Sequence, residues 1–144
     1  MKPKAIARIV RGVLEGLPNE PKDLCGLCYV AAIVLTNLLN EHEIHAQACV
    51  GLYDGSDHCW VELASGRIVD VTATQFAVAE KIHMPRMGDA AIKKYDLRYK
   101  GPATEAQKWT SIHLGCVGLD DNVFIPNVTK AAKIELTLHK EEEP

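Results

Sequence analysis

The segment from residue 26 to about residue 40 constrains the fold more than any other part of the sequence. It is apolar around nearly the whole circumference of a helix, and its longest unbroken apolar run covers residues 27–35. A helix of that kind is typically buried on most sides. The run is nine residues long, whereas a bilayer span needs roughly 20. We therefore expect a buried helix of a globular fold and no membrane partner.

The neighbouring segments supply elements that can cover this helix. Upstream, residues 4–17 carry an apolar stripe at helical spacing and predict an amphipathic helix. Downstream, residues 44–52 alternate between apolar and polar and predict a strand. Segments 58–63 and 67–72 predict two more strands, joined by a hairpin loop at 64–66. Two helices followed by strands are typical of the α+β fold class.

The second half of the chain supplies further elements. Residues 83–90 predict a loop, and residues 91–99 predict either a strand or a short helix. Residues 104–114 predict a helix. Residues 133–139 alternate cleanly between polar and apolar side chains and predict a last strand.

Composition and charge exclude several classes of protein. Apolar residues make up 47% of the 144 residues and charged residues 24%, which is typical of globular proteins and not of disordered chains, collagens or coiled coils. The net charge of −3 lacks the basic excess that is usual in nucleic-acid-binding proteins, so we expect no nucleic-acid partner. Arg8 and Arg11 interrupt the apolar N-terminal segment, and no small-residue cleavage site follows. We therefore expect a cytoplasmic protein.

The five cysteines argue against a disulfide scaffold, because their number is odd and the expected compartment is reducing. Cys25 and Cys28 form a C-x-x-C pair, which suggests a redox or zinc site. A thioredoxin-type motif should follow a strand, but a loop with two prolines precedes this pair. A zinc site needs a second ligand pair at close spacing, which Cys49, Cys59 and His45 do not form. We expect no metal and no cofactor.

Cys28, His58 and Asp70 together predict thiol chemistry. Cys28 lies near the N-terminus of the predicted buried helix, where N–H groups and the helix dipole stabilise a thiolate and can hold an oxyanion. A thiol nucleophile also needs a base and a group that orients the base. With a three-residue loop at 64–66, His58 and Asp70 lie on one face of the hairpin as diagonal neighbours. A two-residue loop would place them on opposite faces.

Two blocks of the sequence resemble the transglutaminase-like superfamily. The matching residues are Gly26, Cys28, Ala32, Leu38-Leu39 and Ile44-His45-Ala46 in the first block, and His58-Cys59-Trp60-Val61-Glu62, Gly66 and Asp70-Val71-Thr72 in the second. The resemblance covers about residues 23–76. We expect a single domain over residues 1–144, in which residues 77–144 complete the sheet or cover the active-site cleft.

The resemblance implies both a fold and a set of roles. The fold is a papain-like core, in which N-terminal helices pack on a small antiparallel β-sheet. Cys28 is then the nucleophile, His58 the general base and later the acid, and Asp70 the residue that orients His58. The family includes peptidases, acyltransferases, amidases, deamidases and members that have lost activity.

These implications lead to a functional expectation. We expect a cysteine-dependent hydrolase or acyltransferase that attacks an amide carbonyl in a peptide, an isopeptide or a glutamine side chain. The reaction passes through a thioester on Cys28, and the partner is a peptide or protein substrate. Hydrolysis by a peptidase, amidase or deamidase is favoured over transamidation, because nothing in the chain suggests a dedicated amine site.

Three further residues are candidates for the same site. Trp60 shares a face with His58 and is either a wall of the cleft or a core residue. Asn19, in the loop before the helix, is a candidate oxyanion donor, and Cys25 is a rival nucleophile. Two alternatives stay open. One is a catalytically silent protein-binding domain on the same fold, and the other is a thiol or zinc protein that uses Cys25 and Cys28.

Overall fold

The computed structural model describes residues 1–18, 27–113 and 124–142. Within these ranges the chain has an α+β architecture. The α-helices are α1 (Pro3–Glu15), α2 (Cys28–Glu41), α3 (Ala103–His113) and α4 (Phe124–Glu142). The strands are β1 (Ala46–Tyr53), β2 (Ser56–Leu63), β3 (Ile68–Val69) and β4 (Tyr95–Gly101). Two short 3₁₀ helices cover Ala73–Phe76 and Ala90–Lys94.

Helix α2 is the centre of the packing, as its apolar sequence predicts. Ten of its 14 residues are buried, and its exposed positions are Asn37, Asn40 and Glu41. It contacts helices α1, α3 and α4 as well as strands β1 and β2. The prediction of a helix buried on most sides is therefore confirmed, with the helix starting at Cys28.

The four strands form one antiparallel sheet in the order β3-β2-β1-β4. One face of the sheet, which includes Ala48, Val50 and Val61, joins the main core with the helices. The other face carries a smaller apolar cluster around Trp60 and Ile68. Side chains alternate between faces along a strand, which explains why strands β1 and β2 could be predicted from the sequence.

The hairpin between β2 and β3 has the register that a three-residue loop imposes. Val61 pairs with Val69, and the Leu63 N–H donates to the Arg67 carbonyl over 2.9 Å. Gly66 closes the loop with a φ of 87°, in the left-handed region that glycine adopts without strain. The predicted loop is therefore confirmed.

The third strand is shorter than the predicted segment 67–72, because it covers only Ile68–Val69. At Asp70 the chain leaves β2 and forms an isolated bridge with His83, through two backbone hydrogen bonds of 2.9 Å. Strand β3 therefore does not extend along the edge of β2 beside His58 and Cys59.

The prediction of a last strand over residues 133–139 is wrong, since these residues lie in helix α4. They do alternate, but Ile134 and Leu138 are exposed, at 54% and 47%. The buried positions of α4 are Ile125, Val128, Ala132 and Leu136. Their spacing of three and four residues is helical, so the period of the whole segment overrides the local alternation.

The other predictions for the second half are confirmed. Helix α3 corresponds to the predicted helix at 104–114. Residues 91–99 contain both of the predicted alternatives, since the 3₁₀ helix Ala90–Lys94 leads directly into β4. Strand β4 completes the sheet beside β1. In the described parts of the chain, we find no helix with the length and apolar character needed to cross a membrane.

Candidate active site

Cys28 is the first residue of helix α2, and it is partly buried. The hydrogen bond that closes the first turn runs from the Ala31 N–H to the Leu27 carbonyl over 2.9 Å. The N–H groups ahead of it belong to the helix end, where they have no carbonyl partner within the helix. This end of the helix dipole favours a negative charge, so the position of Cys28 stabilises a thiolate.

Hydrogen bonds and charge lower the pKa of the Cys28 thiol well below its ordinary value. The largest cause is a hydrogen bond with the side chain of Cys59, and burial opposes it by disfavouring the thiolate. A hydrogen bond with His58, the positive charge of the His58 imidazolium and the backbone N–H of Cys59 lower the pKa further. Cys28 is therefore a thiolate at pH values where an ordinary cysteine is protonated.

The edge of strand β2 explains the backbone contact. The Leu63 N–H faces β3, since it donates to the Arg67 carbonyl. Because hydrogen-bonding direction repeats every second residue in a strand, the N–H of Cys59 faces the same edge. Strand β3 does not reach this part of β2. The N–H of Cys59 therefore has no partner in β3, and it hydrogen-bonds to Cys28 instead.

His58 and Asp70 are joined by a hydrogen bond of 2.6 Å between Nε2 and Oδ2. The structure thus brings together the two residues that the hairpin register predicts to be neighbours. Since Nε2 contacts Asp70, Nδ1 is the ring nitrogen left for the hydrogen bond between His58 and Cys28. Cys28, His58 and Asp70 therefore form a continuous chain of contacts from the helix end into the hairpin.

The charged neighbours of His58 raise its pKa from 6.5 to about 9. Burial acts in the opposite direction, because it disfavours the imidazolium. The hydrogen bonds to Asp70 and Cys28, together with the negative charges of both groups, outweigh burial. The raised pKa of His58 and the lowered pKa of Cys28 together describe a thiolate–imidazolium pair.

Asp70 accepts hydrogen bonds through both carboxylate oxygens. In addition to His58, its Oδ2 accepts the hydroxyl hydrogen of Tyr95 at 2.7 Å. Its Oδ1 accepts from the backbone N–H of Thr72 at 3.0 Å and from the Thr72 hydroxyl at 3.4 Å. An ionised carboxylate only accepts hydrogen bonds, so this set of donors holds Asp70 in one orientation.

Four aromatic rings surround the imidazole of His58 and fix its plane. The centroid distances are 4.9 Å to Phe76, 5.9 Å to Trp60, 6.0 Å to Tyr53 and 6.3 Å to Tyr95. His58 is 1% exposed as a result. Low local dielectric strengthens its hydrogen bonds to charged partners.

Trp60 lies in the core beside His58. It is 2% exposed and packs in the smaller cluster with Cys49 and Ile68. Its ring also meets Tyr95 at a centroid distance of 5.0 Å. This burial favours the core interpretation of Trp60, in which it supports His58, over the interpretation as an open cleft wall.

Three contacts of the site were not expected from the sequence. Tyr95 donates to Asp70, and Cys59 contacts Cys28. The side-chain Nε2 of Gln75 lies 3.4 Å from Nδ1 of His58. The 3₁₀ helix Ala73–Phe76, which places Gln75 there, carries no periodic signal in the sequence.

Two predicted site residues, Asn19 and Cys25, lie outside the described residues. Their roles as oxyanion donor and rival nucleophile therefore stay predictions. In the parts of the chain that the structure describes, His, Cys, Asp and Glu side chains form no group of three or more that could hold a metal ion. The zinc alternative would depend on Cys25.

No family model, no curated protein and no solved structure matches this chain. Evidence for a function therefore comes from the two sequence blocks and from the geometry of Cys28, His58 and Asp70.

Proposed function

We propose that this protein is a transglutaminase-like cysteine hydrolase or acyltransferase that acts on an amide carbonyl. The observation that supports this most is the chain of contacts from Cys28 through His58 to Asp70, which ends in a 2.6 Å hydrogen bond. A nucleophile, a base and a group that orients the base are the three parts that thiol catalysis needs. The same three residues carry the resemblance to the superfamily.

In the first step, the Cys28 thiolate attacks the carbonyl carbon of a peptide, an isopeptide or a glutamine side chain. Negative charge moves to the carbonyl oxygen, where the N–H groups of the first turn of α2 stabilise it. His58 then donates its Nδ1 proton to the leaving nitrogen. The C–N bond breaks, ammonia or an amine leaves, and a thioester remains on Cys28.

In the second step, water or an amine attacks the thioester and gives a proton to Nδ1 of His58. Asp70 holds the imidazole in the tautomer with the other proton on Nε2, so that Nδ1 is the accepting atom. The C–S bond breaks and the Cys28 thiolate is restored. Hydrolysis is favoured over transamidation, because an amine needs a binding site and the sequence carries no motif for one.

A papain-like core is part of the same proposal. Helix α2 begins with the nucleophile and packs on strands β1 and β2 of a small antiparallel sheet. Strand β2 carries the base, and the hairpin that follows it carries Asp70. This order of elements supports the papain-like arrangement.

A catalytically silent binding domain on the same fold is the second candidate, and the burial of the site favours it. His58 is 1% exposed, and the gap between α2 and β2 that Cys28 lines is too narrow to admit a water-sized molecule. This candidate predicts that Cys28 reacts no faster than the other cysteines. A thiol or zinc protein instead predicts bound zinc, or a disulfide between Cys25 and Cys28, without dependence on His58.

Alkylation of the reduced protein with iodoacetamide at a series of pH values separates these candidates. Trypsin leaves residues 23–67 in one peptide with four of the five cysteines, because Lys22 and Arg67 are consecutive cleavage sites. Proteases specific for Glu and Asp cut between Cys28, Cys49 and Cys59, and a Cys25→Ser variant assigns the label in the first peptide. His58→Ala is the test variant, and His45→Ala, at an exposed position, is its control.

We expect fast labelling of Cys28 at about pH 6, where an ordinary thiol with a pKa of roughly 8.5 is protonated. His58→Ala should slow this labelling sharply, and His45→Ala should not. Release of ammonia or amine from glutamine-containing and fluorogenic peptides then tests turnover. Slow labelling of Cys28 in the intact protein would exclude the activated nucleophile and favour the binding domain.

A further inference from the structure

Cys59 and Cys28 are neighbours although they lie on different elements. Cys59 follows His58 in β2, so its side chain points to the opposite face of the sheet, where it packs in the main core with α2. It is 5% exposed. It lines the same narrow gap between α2 and β2 as Cys28, and a hydrogen bond between the two side chains is the largest cause of the lowered pKa of Cys28.

The proposed amide chemistry forms no bond to the Cys59 sulfur. Cys28 and Cys59 could therefore take part in a second kind of chemistry, which is thiol oxidation. Reversible thiol oxidation needs a thiolate that reacts with the oxidant and a second thiol that traps the sulfenic acid. Cys28 lies at a helix N-terminus beside an imidazolium, and both favour the thiolate, which is the form of a cysteine that an oxidant attacks. Cys59 is in contact with it.

We infer that Cys28 and Cys59 form an oxidation site, at which hydrogen peroxide converts the two thiols into one reversible disulfide. Both cysteines line one narrow gap between α2 and β2 and pack in the same core, which places the two thiols next to each other. This oxidation does not depend on amide hydrolysis.

The disulfide forms in two steps. The Cys28 thiolate attacks one oxygen of hydrogen peroxide, an S–O bond forms, the O–O bond breaks, and the departing hydroxide takes up a proton to become water. The sulfur loses two electrons, which the peroxide gains, and Cys28 becomes a sulfenic acid. The Cys59 sulfur then attacks the Cys28 sulfur, an S–S bond forms, and the S–O bond breaks. The hydroxyl leaves as water with the proton of Cys59, which already hydrogen-bonds to Cys28.

Cys49 provides an internal control within the same sheet. It is fully buried on the opposite face, and its sulfur lies 3.9 Å from Oε2 of Glu62. Burial and the negative charge of Glu62 raise the pKa of its thiol to about 12. We therefore expect Cys49 to stay reduced. Cys25 and Cys116 lie outside the described residues and are tested by substitution.

The test is to treat the reduced full chain with increasing equivalents of hydrogen peroxide and to map the thiols by mass spectrometry. The remaining thiols are blocked with N-ethylmaleimide before non-reducing digestion with Glu- and Asp-specific proteases. We expect the main product to be an intramolecular link between the peptides that contain Cys28 and Cys59, and dithiothreitol should remove it. Cys25→Ser, Cys49→Ser and Cys116→Ser should each retain the link.

The variant Cys59→Ser should lose the link entirely. Its Cys28 should accumulate as sulfenic acid, which dimedone traps, and then as sulfinic acid, which dithiothreitol does not reverse. Mapping of the unsubstituted chain is decisive even if this variant fails to fold. A link from Cys28 to Cys25 or Cys116, a link between two molecules, or sulfinic acid without any link would overturn the inference.

The same samples distinguish this inference from the proposed function. A chain that forms the Cys28–Cys59 link but hydrolyses no amide supports the oxidation site and contradicts the enzyme proposal. A chain that hydrolyses amides and forms no link contradicts the oxidation site alone.

Discussion

Nε2 of His58 and Oδ2 of Asp70 lie 2.6 Å apart, and each residue is 1% exposed. A hydrogen bond between charged partners is roughly twice as strong as a neutral one. Either residue without the other would be a buried polar group lacking its main partner, which destabilises the folded state. A change at this contact should therefore alter both the reactivity of Cys28 and the free energy of unfolding.

Replacement of Asp70 by Asn keeps the shape of the side chain but removes the negative charge that raises the pKa of His58. Without an imidazolium, the Cys28 thiolate loses its counter-charge. We expect kcat/KM for the proposed amide cleavage to fall by about 10²- to 10⁴-fold, the usual contribution of a general base. Fast alkylation of Cys28 near pH 6 should disappear as well.

The matched control for Asp70→Asn is Asp96→Asn, which removes an exposed carboxylate in β4. We expect Asp96→Asn to leave both the alkylation rate and kcat/KM unchanged. Fast alkylation that persists in Asp70→Asn would show that Asp70 does not act through His58.

Tyr95 stabilises the same carboxylate oxygen as His58. Burial raises the pKa of Tyr95, as do the charge of Asp70 and the hydrogen bond to it, so Tyr95 remains a neutral donor. Tyr95→Phe removes one hydrogen bond to a charged group, which typically costs about 1.5–3 kcal/mol of stability. Urea unfolding measures this loss.

Tyr53→Phe is the control for Tyr95→Phe. Tyr53, like Tyr95, packs against the ring of His58. Among the described residues, however, the hydroxyls that donate to Asp70 belong to Tyr95 and Thr72. We expect a smaller loss of stability in Tyr53→Phe. Equal losses in the two variants would show that the hydrogen bond to Asp70 contributes little.

The features of the site that the sequence predicts depend on residues close together in the chain. His58 and Asp70 share a face because strands repeat every two residues and the loop at 64–66 has three. The sequence predicts Cys28 at the N-terminal end of a helix because the apolar pattern of α2 starts there. Each of these relations is decided within a single helix or hairpin.

Other features could not be predicted from the sequence. Some depend on contacts between residues far apart in the chain, and one depends on a pattern that is recognisable only over a longer segment. Tyr95 reaches Asp70 across 25 positions, and no local pattern connects them. Arg11 interrupts the apolar N-terminal segment in the sequence, yet it is 3% exposed, because its guanidinium donates to Val71 and Thr74. In α4, a seven-residue window showed strand alternation, whereas the whole segment has a helical period.

Arg11 ties helix α1 to the segment that follows Asp70. Its Nη1 donates to the Val71 carbonyl and to the Thr74 hydroxyl, both at 2.8 Å. Arg11→Met keeps much of the side-chain volume but leaves the buried Val71 carbonyl without this donor. We expect the free energy of unfolding to fall by about 1–3 kcal/mol, the usual desolvation penalty.

The control for Arg11→Met is Arg8→Met, at an exposed position of the same helix. Surface substitutions of this kind usually change stability by less than about 0.5 kcal/mol. Urea unfolding of both variants is the measurement. If they are equally stable, the buried guanidinium does not hold α1 to residues 71–74.

The thiolate–imidazolium pair has a consequence for the pH dependence of stability. The raised pKa of His58 adds stability that is complete below pH 6.5 and is lost as the pH rises through about 9. The lowered pKa of Cys28 adds stability that is complete above the ordinary thiol pKa and is lost as the pH falls through the folded value. Between about pH 6.5 and 8.5, the unfolded pair holds one proton on sulfur, and the folded pair holds one on His58. The two slopes therefore cancel.

Replacement of Cys28 by Ala removes one side of this balance. The unfolded chain then holds no proton at His58 above about pH 6.5, whereas the folded chain keeps one as long as Asp70 maintains the imidazolium. We expect the free energy of unfolding of Cys28→Ala to fall with rising pH by up to about 1.4 kcal/mol per pH unit. The slope should end once His58 is deprotonated in the folded state.

Urea unfolding in steps between about pH 6.5 and 8.5 measures this slope, with Cys49→Ala as a control that should behave like the unsubstituted chain. A Cys28→Ala curve parallel to that of the unsubstituted chain would mean that Cys28 and His58 are not ionised together.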